Sequence, residues 1–310
     1  MVDFVKLEEE KKNGKSGGSS DEKSFWSWKN FFLIFLLFFL LSSIFSSVSD
    51  SMTPKIAVVP IKGVILTDED NSLFGDSSVS SRDIAETLME LKDDNSVKAV
   101  LLDINSPGGS PVASEEISRA IDEVKKEKPV YALINDVGAS GAFWIAVSAN
   151  KTYVSSMSQV GSIGVTSAGL GFEDFIKEYN ITYRRQTAGE FKDMGTPYRE
   201  PTKEEEKILQ GILDEIHANF IEHVAVSRNM SYESVEKYAT GEVFLGSKAV
   251  KLGFADEIGY YPDVMAELKN ITSATTIVNY GPEPTFADLL GFGVLNDGLL
   301  PKAESQVLLK

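Results

Sequence analysis

The residues whose type and setting could do covalent chemistry here are serines in glycine-bearing turns and a lysine that could serve them as a base. The 310 residues include no cysteine, which excludes disulfides, thiolate metal sites and cysteine nucleophiles together. Only two histidines are present, His217 and His223, and both fall within one long helical pattern. Three glycine-bearing turns stand out because each follows an apolar run. In Ser106-Pro-Gly-Gly-Ser110 the adjacent Gly108 and Gly109 let backbone N–H groups turn toward a bound group, as an oxyanion site requires. That turn lacks the terminal lysine and the spacing of a phosphate loop, so a nucleotide site is not expected. In Asp136-Val-Gly-Ala-Ser-Gly-Ala142, Ser140 stands among small residues where a helix begins, and Gly141 after it can offer its N–H to the same oxyanion. The run resembles a nucleophile elbow but ends in Ala142 where glycine is usual. Val160-Gly-Ser-Ile-Gly-Val165 returns a third hydroxyl, Ser162.

A serine nucleophile needs a base, and the two helical histidines read as packing residues about 120° apart around the helix. The remaining candidate is Lys192, in Gly189-Glu-Phe-Lys-Asp-Met194, after an expected strand over Ile181–Thr187. An ordinary lysine amine, with pKa ~10.4, is neutral about once in 2,500 at pH 7. Desolvation lowers that value and turns the amine into a usable base. Asp193 would oppose this only if its carboxylate faced the same way, and in an extended segment neighbours point apart.

These turns have to be held by something rigid. Lys55–Ile61, Val97–Ile104, Val130–Ile134 and Thr152–Val154 are short runs rich in Val, Ile and Leu, as in strands buried on both faces. Between them Ile84, Leu88 and Leu91 mark a helix over Ser81–Asp93. A second, over Pro111–Lys126, carries Ala113, Ile117, Ala120, Ile121 and Val124 on one stripe. Strand–helix–strand alternation predicts an α/β fold with a parallel sheet. A long helix is expected from Thr202 to Arg228, opened by Glu204–Glu206 and burying Leu209, Ile212, Leu213, Ile216, Phe220 and Val224.

Together, Ser106–Ser110, Gly138–Ala142, Gly161–Gly164 and Gly189–Asp193 resemble the short form of the signal peptide peptidase A family. The likeness continues through Pro201-Thr-Lys-Glu-Glu205, Gly241-Glu-Val-Phe-Leu-Gly246 and Leu252-Gly-Phe-Ala-Asp256. Single motifs are weak, but their order and the 52-residue interval from Ser140 to Lys192 are specific together. Mild departures are Phe143–Trp144, where a pair of tyrosines is common, and Phe254-Ala255 in place of Leu-Val. The resemblance implies a membrane-anchored Ser–Lys peptidase of the crotonase/caseinolytic-protease fold, a repeated β-β-α superhelix with parallel sheets. It implies Ser140 as nucleophile and Lys192 as general base. Gly109 and Gly141 would supply the oxyanion N–H groups, with Gly108 beside them as a positioning residue, and Ser162 would position the lysine. It further implies hydrophobic peptide substrates such as cleaved signal peptides, no cofactor or metal, and a ring-like homo-oligomer whose sites are shared between adjacent subunits. Rival readings are a related Ser–Lys membrane protease acting on membrane scaffold proteins, and a non-peptidase crotonase-fold protein binding acyl-CoA.

The ends of the chain differ from this body. Residues 1–30 read as a solvated tail, with six lysines and six acids around Gly14–Ser20. From Asn30 to Ser49 no charge interrupts a twenty-residue run, about the length that crosses a bilayer as a helix. Trp26, Trp28 and Lys29 stand at its front edge, so a transmembrane anchor over 31–49 is expected, with a cleaved signal peptide as the alternative. Five lysines in residues 11–30 against two in 50–69 favour a cytosolic N-terminus, with the body on the extracytoplasmic side of the cell membrane. Residues 51–295 read as one peptidase-type domain and 296–310 as a flexible tail. With 46 acidic against 30 basic residues, the net charge of -16 excludes a general nucleic-acid binder.

Overall fold

A computed structural model of the chain describes residues 31–39, 53–68 and 78–281. The chain divides into two units, Met1–Thr53 and Pro54–Lys310. In the first, residues 31–39 form helix α1, whose apolar side chains are exposed. Among the described residues no helix is long and apolar enough to cross a membrane. The charged tail, most of the 31–49 anchor and the 296–310 tail lie outside the described residues.

In the second unit the order is β1 (Lys55–Lys62), β2 (Val64–Leu66), β3 (Ser78–Ser80), α2 (Ser81–Asp93), β4 (Val97–Ser106), α3 (Pro111–Val124), β5 (Val130–Ala139), α4 (Gly141–Val147), β6 (Lys151–Val154) and β7 (Gln159–Gly161). Then follow α5 (Glu173–Glu178), α6 (Lys203–Arg228), α7 (Tyr232–Glu236), β8 (Val243–Leu245), α8 (Gly246–Leu252), β9 (Glu257–Ile258), α9 (Tyr261–Thr272) and β10 (Thr276–Asn279). The main sheet runs β10-β1-β4-β5-β6-β9, with β7 beside the end of β5 and β8 on β7. Every pairing in it is parallel except β7 with β8, so the chain is a mixed α/β protein with a mostly parallel sheet.

Both faces of the sheet are covered, and the two-residue period of a strand explains how. Ala57, Val59 and Ile61 of β1 and Val100, Leu102 and Ile104 of β4 join the larger core, under α2, α3 and α4. Their neighbours Ile56, Val58, Ala99 and Leu101 point the other way, onto Val264, Met265 and Leu268 of α9.

Two expectations fail. Residues 181–187 form no strand, and Ile181 and Tyr183 are exposed. Alternating apolar residues make a strand only where another strand supplies hydrogen-bond partners. On α6 only the C-terminal half of the stripe is buried, at Phe220, Ile221, Val224 and Ala225. Leu209 and Ile212 are 38% and 49% exposed.

Candidate active site

The central strands run further than their apolar cores and deliver the turns directly. β4 continues to Ser106 and β5 to Ala139, with an irregularity that pairs Ser106 with Gly138. The first turn is zipped onto β2: Ile65 N–H donates to Gly108 O at 2.9 Å and Ser110 N–H to Ile65 O at 2.8 Å. Ser110 then caps α3, accepting from Ala113 N–H at 3.4 Å, with Pro111 in the first turn. A Cβ at Gly109 would lie 2.0 Å from Ile65 O, and one at Gly108 2.7 Å from Ala139 O, so no side chain fits at either.

Ser140 is the N-cap of α4 and has φ 52°, ψ -125°. Left-handed backbone at a residue with a side chain is costly and holds only where the surroundings enforce it. Here three hydrogen bonds do. Ser140 N–H donates to Gly161 O at 2.8 Å, while Ser140 O accepts from Phe143 and Trp144 N–H at 2.9 and 3.0 Å. The consequence is a serine whose side chain makes no capping bond to its own helix. Gly161 reaches Ser140 because β7 pairs with the end of β5, setting Ala139 opposite Gly161. Ser162 is held in the same way, at φ 53°, with its N–H donated to Glu242 O at 2.9 Å.

The two amides named for an oxyanion lie together beside this serine. A Cβ at Gly141 would come 3.4 Å from the Gly109 nitrogen, and one at Gly108 would come 2.7 Å from the Gly141 nitrogen and 2.9 Å from the Ser140 Cβ. Gly141 opens α4, where no carbonyl one turn back accepts its N–H. The structure thus gathers Gly109, Ser140, Gly141 and Ser162 around one cleft of about 700 Å³, with Gly108 packed against Ser140. Trp144, Leu213, Ile216 and Phe220 form its apolar wall.

Lys192 is not brought there by its own chain. It is exposed, on a turn whose Lys192 N–H donates to Gly189 O at 3.4 Å, and it does not line the cleft. The histidines behave differently from each other. His223 stacks on Trp144, centroids 4.1 Å apart and planes 3° from parallel, with Nε2 3.0 Å from Ser148 Oγ. Burial holds its imidazole below the ordinary histidine range, so it is a packing residue, as expected. His217 instead lines the cleft that holds Ser140, and its Nε2 is buried with no hydrogen-bond partner among the described residues. A helical wheel puts His217 at the edge of the stripe but does not say what the edge faces.

Several known proteins are similar to this chain. The model of peptidase family S49 matches residues 122–275, a span that contains Ser140, Ser162 and Lys192. A putative signal peptide peptidase SppA of Enterococcus faecium is 31% identical over 234 residues, 74% of this chain and 68% of that protein. A putative protease of Methanocaldococcus jannaschii is 32% identical over 249 residues, 77% of this chain and 80% of that one. Protease 4 of Haemophilus influenzae is 33% identical over 225 residues, 71% of this chain but 35% of the longer protein. A strained serine between glycine turns and a family match across it point the same way, and the chain belongs to peptidase family S49, the signal peptide peptidase A family.

Proposed function

We propose that this chain is a membrane-bound serine endopeptidase that degrades hydrophobic peptides, cleaved signal peptides among them, through Ser140 and Lys192. The observation that carries the reading is the backbone of Ser140, held left-handed at the start of α4 beside the Gly109 and Gly141 amides and open to an apolar-walled cleft. A mostly parallel sheet with helices on both faces fits the crotonase-type superhelix. The uncharged run 30–49 would anchor the chain in the cell membrane, with the body on the extracytoplasmic side.

In this account Ser140 Oγ attacks the carbonyl carbon of the scissile bond while the neutral Lys192 amine takes the hydroxyl proton. The Gly109 and Gly141 N–H groups hold the oxyanion. Collapse breaks the C–N bond, the lysine ammonium returns its proton to the leaving amine, and an ester remains on Ser140. Water then attacks that ester, with Lys192 again removing a proton, and the free carboxylic acid and serine are released. The lysine comes from a second copy in a ring-like oligomer. Support for this comes from the exposed position of Lys192 and from large apolar residues bared along the same segment. Leu170, Phe175, Tyr179 and Ile181 are 75%, 55%, 62% and 55% exposed, and the N-terminal half of the α6 stripe is uncovered.

The test is a synthetic signal peptide incubated with the detergent-solubilised chain, its products identified by mass spectrometry. Wild-type protein should cut within the apolar segment, and Ser140→Ala should lower the rate by at least about 10³-fold with folding unchanged. Cleavage by Ser140→Ala at the wild-type rate would remove Ser140 from the nucleophile's role.

A further inference from the structure

The segment that carries Lys192 ought to wander. Between Val165 and Thr202 it holds no strand and one six-residue helix, and most of its residues are exposed. One cluster of charges interrupts that pattern. Asp193, directly after Lys192, accepts from Arg199 Nε at 3.2 Å and from Arg199 Nη2 at 3.0 Å. The same guanidinium donates to Glu205 through Nη1 at 2.8 Å and Nη2 at 2.5 Å. Glu205 is only 2% exposed. It stands three residues after the N-cap of α6 and closes a capping box: its carboxylate accepts from Thr202 N–H at 2.8 Å, and Thr202 Oγ1 accepts from Glu205 N–H at 3.2 Å. On the other side of Lys192, Arg185 Nη2 donates to Glu190 O at 2.8 Å and pairs with Asp193 at 2.7 Å.

The turn is therefore tied down on both sides of Lys192, and both ties end on Asp193. Two guanidiniums face two carboxylates, so the cluster carries no net charge. Arginine suits this place because its planar fork reaches two carboxylates at once, which an ammonium cannot do. An unpaired Asp193 would also be free to bind the neighbouring lysine amine as an ion pair. We infer that Arg199 is a positioning residue for the Lys192 amine: it clamps Asp193 to the first turn of α6, fixing where Lys192 points and keeping the adjacent carboxylate away from it. The inference rests on the reading of Lys192 as the base.

The test is steady-state kinetics of the full chain on a fluorogenic hydrophobic peptide, with the thermal midpoint of each variant measured alongside. Arg199→Ala should lower kcat about 10- to 100-fold, the cost of a catalytic group displaced by about 1 Å, with KM within about twofold. Its thermal midpoint should fall, because the buried Glu205 carboxylate loses the guanidinium that pairs it, whereas Asp193→Ala keeps that pair and should hold the midpoint near the wild-type value. Arg199→Lys should recover only part of the loss. Asp193→Ala, which leaves the Arg199–Glu205 bonds in place, should show the same fall in kcat and serves if Arg199→Ala folds poorly. Wild-type kcat in Asp193→Ala, or a loss confined to KM, would overturn the inference. So would a thermal midpoint of Asp193→Ala that falls to the assay temperature. Lys192→Ala separates the two claims. If Lys192→Ala keeps the wild-type kcat, the base assignment has failed. If Lys192→Ala is inactive while Arg199→Ala runs at full rate, only the positioning role has failed.

Discussion

In the proposed mechanism Ser140 depends on neighbours that lack side chains. A methyl group at Gly108 would press on the Ala139 carbonyl and on Ser140 itself, and one at Gly109 would overlap the Ile65 carbonyl. The glycines therefore set the closeness of approach that lets the Gly109 and Gly141 amides stand beside one hydroxyl. As the proposed base, Lys192 has a stricter chemical requirement, since it must give up its proton within the working pH range. Lys192→Arg should be as inactive as Lys192→Ala in peptide hydrolysis, because a guanidinium stays charged throughout that range. Measurable turnover in the arginine variant, read as initial rates at high enzyme concentration, would take the lysine out of the base role. Each glycine turn taken alone reads as readily as a plain turn or a packing site, and only the order of the turns along the chain singles out Ser140. The relation of Lys192 to Ser140 was not legible in the amino-acid order, because the stretch from Ser162 to Lys192 holds only the six-residue α5 and imposes no distance. Nor was His217 as a wall of the cleft, since periodicity gives a helical residue an angle but no neighbour.

At the scale of elements the buried strands and the helices over Ser81–Asp93 and Pro111–Val124 were read closely, because hydrophobic periodicity is strongest where both faces are covered. The strand expected over 181–187 failed for the converse reason: its apolar residues meet solvent instead of a partner strand. The packing of α4 on α6 has a consequence for pH. His223 lies between them, stacked on Trp144 and close to Ser148, which in turn bonds Ser118 at 2.7 Å. Its folded-state pKa is below the unfolded value of ~6.5, with burial as the main cause. Between those two values the unfolded chain binds more protons than the native one. The stability His223 contributes is therefore full above about pH 6.5 and is lost as pH falls toward the folded-state value. Thermal midpoints measured from pH 7.5 to 5 should fall, and His223→Gln should flatten that fall while lowering the midpoint at pH 7.5. An unchanged pH dependence in His223→Gln would mean other groups set it.

The described residues of the second unit form an α/β body with an exposed arm, residues 165–202, that carries the proposed base and a set of bared apolar side chains. Within one chain the cleft is lined by Ser140, Gly109 and Gly141 but not by Lys192. The central claim is that the missing lysine comes from another copy. A site shared in this way exists only in the assembly, so the specific activity of the wild-type protein should fall on dilution. Subunit mixing tests the claim most directly. Ser140→Ala and Lys192→Ala proteins, each inactive alone, are exchanged in equal amounts, and exchange is verified with labelled protomers. If each site takes its serine from one copy and its lysine from the next around a closed ring, random exchange should restore about a quarter of wild-type activity. No recovery in a demonstrably mixed oligomer would contradict the account, because each chain would then be building its own site.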